Sequence, residues 1–115
     1  MLKIIHNPRC RKSREALKLL HERRLSPIVI EYLKSPLEKK QIEELISLLK
    51  KSDIEKIIRK NESIYKEQYK NKILSKSDIV EALIAHPILL ERPIVVKDKK
   101  AIIGRPPENI LDLLK

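Results

Sequence analysis

The stretch Leu2-Lys3-Ile4-Ile5-His6-Asn7-Pro8-Arg9-Cys10-Arg11-Lys12-Ser13-Arg14 passes from a short apolar run, through a proline-bearing turn, into a segment with helical periodicity. Leu2, Ile4 and Ile5 predict a first strand over residues 2–6. From about Ser13 to Arg23 the apolar positions Ala16, Leu17 and Leu20 share one helical face, with Ser13 or a near neighbour as the cap. Ile28, Val29 and Ile30, after Pro27, predict a second, buried strand. The opening therefore reads as a β-α-β unit, with parallel strands joined by a right-handed crossover.

The middle of the chain differs in kind, because from Leu37 to Ala85 apolar residues recur at helical spacing. Ile42, Leu45, Ile46 and Leu49 form one stripe. Ile54, Ile57 and Ile58 form another, behind a Ser52-to-Glu55 capping box, and Ser75 with Asp78 predicts the start of a last helix that Pro87 stops. Tyr65 and Tyr69, four residues apart, fit a role in packing between these helices. After Glu91 the strand pattern returns in Ile94-Val95-Val96 and Ala101-Ile102-Ile103, separated by a polar turn, and a short helix bearing Ile110, Leu111 and Leu114 follows. The only glycine, Gly104, lies between them, where positive φ or a close backbone approach is expected. The expected architecture is α/β: a single domain over residues 1–115 with a mixed four-stranded sheet. A helical insertion at approximately 37–86 separates its β-α-β and β-β-α halves.

With 115 residues the chain is the usual size of one domain and can bury a hydrophobic core unaided. A single cysteine excludes an intrachain disulfide and any multi-cysteine zinc site, which fits a reducing compartment. No apolar run reaches transmembrane length and none resembles a signal sequence, so a soluble, cytoplasmic protein is expected. The formal net charge of +10 raises the question of nucleic acid. Against it, Phe and Trp are absent, the three tyrosines are not interleaved with basic residues, and no zinc-finger or RNP-type motif occurs. A positive field still gathers small oxyanions. His21 and His86 read as structural, no His/Asp/Glu cluster has metal-ligand spacing, and one glycine cannot build a nucleotide-cradling loop.

Cys10 is the residue that points to chemistry. A strand, a turn and a helix start place its sulfur among unpaired helix N-terminal N–H groups, with Arg9, Arg11, Lys12 and Arg14 within four residues. Both influences favour thiolate over thiol. Isolated cysteines in intracellular proteins mostly pack as small hydrophobes, but flanking lysine and arginine are almost never fully buried unless paired, so this loop is expected to be at least partly open to solvent. A thiolate that attacks an oxyanion brings two negative charges together. Fixed arginines would offset that repulsion, because the planar guanidinium fork donates paired hydrogen bonds to tetrahedral oxyanions and stays charged when partly buried.

Five separated words, in order, carry a resemblance over nearly the whole chain: His6-Asn7-Pro8-Arg9-Cys10 with Lys12-Ser13-Arg14; Ile58-Arg59-Lys60; His86-Pro87-Ile88-Leu89; Glu91-Arg92-Pro93-Ile94-Val95-Val96; and Gly104-Arg105-Pro106-Pro107-Glu108. The chain resembles the thioredoxin-fold family of glutaredoxin-dependent arsenate reductases, particularly its shorter members. The resemblance implies that Cys10 is the nucleophile that forms a covalent adduct with arsenic, that His6 and Ser13 stabilise its thiolate, and that Arg59, Arg92 and Arg105 hold the oxyanion and its reduced product. It also implies a cis peptide at Pro93, no bound cofactor, glutathione as co-substrate and glutaredoxin as partner. The lone thiol fits, since an adduct on Cys10 has no second internal sulfur to resolve it, and Ser13 stands where a Cys-X-X-Cys protein carries its second cysteine. Taken singly, each arginine also reads as an ordinary surface or structural residue. An alternative comes from a related thioredoxin-fold branch of redox-sensing regulators that bind RNA polymerase, which share the Arg-Pro-Ile word and the helical insertion. Many of those sense oxidation through a Cys-X-X-Cys pair, which is missing here.

Overall fold

Strand β1 (Leu2–His6) lies inside the sheet, and its successive side chains enter two different cores. The computed structural model describes residues 1–114. Helix α1 (Arg11–Glu22) leads from β1 to β2 (Ile28–Glu31), which pairs with β1 in parallel, Ile4 against Val29 and Ile5 against Ile30. Strand β3 (Ile94–Lys97) runs antiparallel on the other side of β1, and β4 (Lys100–Ile103) closes a hairpin with β3. The resulting order is β2-β1-β3-β4. Between β2 and β3 come α2 (Lys39–Leu48), a 3-10 helix at Lys51–Ile57, α3 (Ser63–Gln68), α4 (Lys76–Ala85) and a 3-10 turn at Pro87–Leu89. A mixed four-stranded sheet with this insertion is the thioredoxin-like arrangement read from the sequence.

Because strand side chains alternate between faces, Ile4 and Val95 meet Ala16 and Leu20 of α1 and Ile110 of the C-terminal segment. Ile5, Ile94 and Val96 point the other way, into a larger core with Ile42, Leu45 and Ile46 of α2 and Ile79 and Leu83 of α4. Each such side chain, taken fully out of water, contributes about 1.5–3 kcal/mol. The sheet is thus covered on both faces, which explains why adjacent positions are apolar in β1 (Ile4, Ile5) and in β3 (Ile94 to Val96).

Local expectations are met unevenly. The Ser75–Asp78 capping box opens α4, each side chain accepting the other's backbone N–H at 3.0–3.1 Å, and α4 ends before Pro87. Tyr65 and Tyr69 stack, with ring centroids 6.3 Å apart. Strand β2, however, is an edge strand, with Ile28 50% and Val29 42% exposed; a three-residue apolar run does not reveal whether a second neighbour lies beside it. Helix α1 starts earlier than the sequence suggests. Cys10 is its N-cap, and Ser13 lies buried inside the first turn instead of capping it. The Ser52–Glu55 capping box does not form: Lys50 holds the N-cap position without a side-chain cap, and residues 51–57 wind as a 3-10 helix. Leu49 and Ile58, on either side of it, are both extended. The C-terminal helix, Pro107–Leu114, is also 3-10.

Gly104 does not have positive φ; its requirement is space. A Cβ there would lie 3.0 Å from Pro93 Cγ and 3.1 Å from Ile110 Cγ2, while its N–H donates to the Pro93 carbonyl at 2.8 Å. Gly104→Ala is expected to destabilise the fold by about 1–3 kcal/mol through this overpacking, read as a lower urea midpoint with an unchanged slope.

Candidate active site

The strand register assembles the site. In the β1–β3 pair Ile5 faces Ile94, so the chain leaving β1 toward Cys10 runs beside the chain entering β3 through Arg92 and Pro93. In the β3–β4 pair Ile94 faces Ile103, so Gly104 and Arg105 leave β4 beside Pro93. The Arg92–Pro93 and Arg105–Pro106 peptide bonds are both cis. Residues separated by more than 80 positions thereby converge at one end of the sheet.

Hydrogen bonds within the loop hold Cys10 in place. The Asn7 side chain accepts the Arg9 N–H at 3.0 Å, and the Cys10 N–H donates to the Asn7 carbonyl at 3.0 Å, folding residues 7–10 into a tight turn. Behind it the fully buried Ser13 hydroxyl accepts the Asn7 N–H at 3.1 Å and lies 2.6 Å from His6 Nδ1. Arg14 reaches back to the Pro8 carbonyl at 2.9 Å. The His6 ring is thus tied to Ser13, whose backbone N–H acts on the sulfur. Burial disfavours the ring's charged form; Glu31 pulls the other way and Arg14 adds to the burial effect, leaving its pKa below the usual histidine value. It acts on the loop as a neutral hydrogen-bonding group at neutral pH.

The Cys10 side chain is half-buried and makes no capping hydrogen bond of full geometry. Burial opposes ionisation of its thiol, but the Ser13 backbone N–H, the Arg92 guanidinium and the Arg105 guanidinium outweigh it and hold the pKa below the ordinary thiol value. Arg105 Nη1 lies 3.7 Å from Sγ and donates to the Arg92 carbonyl at 3.1 Å. Arg92 interacts with both Cys10 and the buried Tyr32, yet its Nε and Nη1 are buried without hydrogen-bond partners. The cations that favour the thiolate most are thus distant in sequence. Of the neighbouring ones, Arg11 and Lys12 lean toward Glu15, at 3.1 and 3.9 Å.

Arg59 arrives by a different route. Ile58 and Leu90 form an isolated antiparallel bridge, flanked by Arg59 N–H to the Leu89 carbonyl at 2.8 Å and Glu91 N–H to the Ile57 carbonyl at 2.7 Å. Arg59 is therefore on a short extended segment, next to Glu91 and not on a helix surface. Its Nη1 donates to Glu91 Oε1 at 2.7 Å, and its Nε lies 3.7 Å from Glu62. The same Glu91 oxygen is 3.7 Å from Arg105 Nε and accepts the Arg92 N–H at 3.1 Å. The structure thus brings Cys10, Arg92 and Arg105 into one cluster and joins Arg59 to it through Glu91. Arg59, Glu91 and Arg105 also line a cleft of about 400 Å³ that continues along Lys56, Lys60 and Asn61.

Glu91, Tyr32 and Asn7 are site residues that the sequence reading did not single out. Asn7 had a signal, since Asn before Pro favours side-chain turns. Glu91 and Tyr32 had only their proximity to basic or strand residues. Among the described residues no group of His, Cys, Asp and Glu could hold a metal ion, and no helix is long and apolar enough to cross a membrane.

Comparison with known proteins gives a consistent result. The ArsC family model matches residues 5–113. An arsenate reductase from Neisseria meningitidis is 41% identical over 110 residues, 95% of this chain and 94% of that one. YfgD of Escherichia coli K12, an uncharacterized protein, is 41% identical over 114 residues, 98% and 96% of the two chains. The solved structure of an arsenate reductase from Vibrio cholerae superposes with a TM-score of 0.90 at 38% identity, covering 96% of this chain and 95% of that one.

Two measurements test the geometry of the site. Ser13→Ala leaves the buried Asn7 N–H and His6 Nδ1 without their partner, an expected loss of roughly 1–3 kcal/mol in urea unfolding. Arg92→Ala or Arg105→Ala removes a cation that favours the ionised sulfur, so the Cys10 titration, followed by thiolate absorbance, is expected to move to higher pH in each. Unshifted titration in both variants would contradict the placement of these guanidinium groups against the sulfur.

Proposed function

This chain belongs to the ArsC family, and from that premise we propose that it is a thiol-dependent reductase of arsenate or a similar oxyanion, with Cys10 as its nucleophile. The observation that carries the reading is the arrangement around the sulfur. Arg105 Nη1 stands 3.7 Å from Sγ, and Arg92 presents two buried N–H groups that no protein acceptor satisfies. Buried donors without partners are rare and costly in a native fold, and a bound oxyanion would supply the missing acceptors. The same positive groups favour the thiolate that must attack.

In the proposed reaction the Cys10 thiolate attacks arsenic, forming an S–As bond while an arsenate hydroxyl takes up one proton from solvent and departs as water. Arg92 and Arg105 offset the charge on the remaining oxygens, a stabilisation that costs no reorganisation because the groups are already in place. The thiolate of glutathione then attacks the Cys10 sulfur. An S–S bond forms, the electron pair of the S–As bond passes to arsenic, and arsenic(V) leaves as arsenic(III). Glutaredoxin, by attacking the glutathionyl sulfur of the mixed disulfide, would return Cys10 to the thiolate. The cleft beside Arg105 supports an external thiol, since it extends well beyond the space a tetrahedral oxyanion fills and is lined by Lys56, Lys60 and Asn61. His6 and Ser13 hold the loop and its helix N-terminus, and Arg59 would complete the oxyanion site.

The test is arsenate-dependent oxidation of glutathione in a glutaredoxin-coupled assay, with other oxyanions as parallel substrates. Wild-type protein is expected to turn over and Cys10→Ser to fall to background. Equal turnover in the two proteins would refute the assignment of the nucleophile.

A further inference from the structure

Arg59 and Arg105 are both drawn to an acceptor that belongs to the protein. The Glu91 carboxylate stands where an anionic ligand of Arg59 would stand, at 2.7 Å from Nη1, and the same oxygen is 3.7 Å from Arg105 Nε. Its own backbone is fixed by the N–H to Ile57 bond at 2.7 Å, and its Oε1 is held from behind by the Arg92 N–H at 3.1 Å. Glu62, 3.7 Å from Arg59 Nε, balances that guanidinium from the other side. The three arginines are therefore not equivalent. Arg59 lies against two carboxylates, with Nη1 bonded to Glu91 and its buried Nε left without a hydrogen bond, Arg105 divides its donors between Arg92, Cys10 and Glu91, and Arg92 keeps both Nε and Nη1 buried and open.

We propose that Glu91 determines the anion selectivity of this pocket: it is an internal competitor that occupies the anion-binding face of Arg59, so that the pocket discriminates against doubly charged oxyanions in favour of singly charged ones. The proposal rests on the reading of the Cys10 cluster as an oxyanion site and assigns a specificity role within it. The physical argument is charge balance in a partly buried space. Ionised Cys10, Glu91 and Glu62 place three negative charges against the three guanidinium groups, so each charge a ligand adds is uncompensated unless Glu91 gives up Arg59, and a dianion adds twice the excess of a monoanion. Removing the carboxylate's charge returns Arg59 to the ligand, and the effect is larger for the ligand with the greater charge.

Sulfate and perchlorate are both tetrahedral, and they differ by one unit of charge. Each would be titrated as a protector of Cys10 against alkylation by iodoacetamide, at a pH on the plateau of the alkylation rate so that changes in thiol ionisation do not enter. Glu91→Gln keeps an oxygen able to accept the Arg92 N–H while removing the charge. It is expected to tighten sulfate about tenfold, as when a charged hydrogen-bond partner is freed for a ligand, and perchlorate distinctly less. Glu91→Asp, which keeps the charge, should retain the wild-type preference, and thermal melting would verify that each variant is folded. Adding Arg59→Ala to Glu91→Gln should abolish the gain. The proposal is overturned if sulfate affinity in Glu91→Gln is unchanged, if both anions gain equally, if the gain survives the loss of Arg59, or if neither anion protects any of these proteins. None of these readouts requires turnover, so a protein that shows the selectivity change but reduces no oxyanion would remove the enzymatic reading while leaving this one standing.

Discussion

Three guanidinium groups and a sulfur atom meet at one end of a small sheet, and the repulsion among those cations is the constraint that the surrounding structure has to offset. Burying unpaired charge costs several kcal/mol per ion even after relaxation, so each arginine needs negative partners close by. Arg59 has Glu91 and Glu62, Arg105 has Glu91 and the sulfur, and Arg92 has the sulfur with Tyr32. The lowered thiol pKa and the tolerated burial of Arg92 are two descriptions of one interaction, because the thiolate is part of what makes that cation affordable. A neutral sulfur would leave Arg92 with still less to balance it.

The scaffold makes this crowding possible by over-determining the positions of the chain segments involved. Strands β1 and β3 are covered on both faces and cannot slip by one residue without turning Ile4, Ile5, Ile94 and Val95 into the wrong cores. With that register fixed, the segments following β1, preceding β3 and following β4 are neighbours. The bridge between Ile58 and Leu90 then ties the helical insertion to the same edge of the site. Gly104 allows the last of these segments to pass against Pro93 at a distance that a side chain would not permit.

The sequence made the order and type of the strands legible, along with the helical character of residues 37–86 and the position of Cys10 at a helix start, because periodicity and turn residues are local properties. It was less informative wherever the outcome depended on a neighbour in space. The apolar run Ile28-Val29-Ile30 is compatible with a central or an edge strand, and only the sheet order decides between them. Ser13 has the composition of a cap, yet the loop turns early enough to make Cys10 the first helical boundary and Ser13 a buried link to His6. Ser52 and Glu55 have capping-box spacing, but residues 51–57 wind as a 3-10 helix with Lys50 at the N-cap position.

The source of the thiolate's stabilisation shows the same division. Local reading attributes it to the helix start and to Arg9, Arg11, Lys12 and Arg14, and the helix contribution is present through the Ser13 N–H. The dominant guanidinium groups come instead from Arg92 and Arg105, while Arg11 and Lys12 turn to Glu15. By itself the sequence determined which groups could do chemistry and which segments would be strands or helices, since both follow from residue type and spacing along the chain. Only the tertiary structure decided which charges face one another, and that Glu91 stands between Arg59 and Arg105, because electrostatic interaction depends on distance through space and strand register sets that distance.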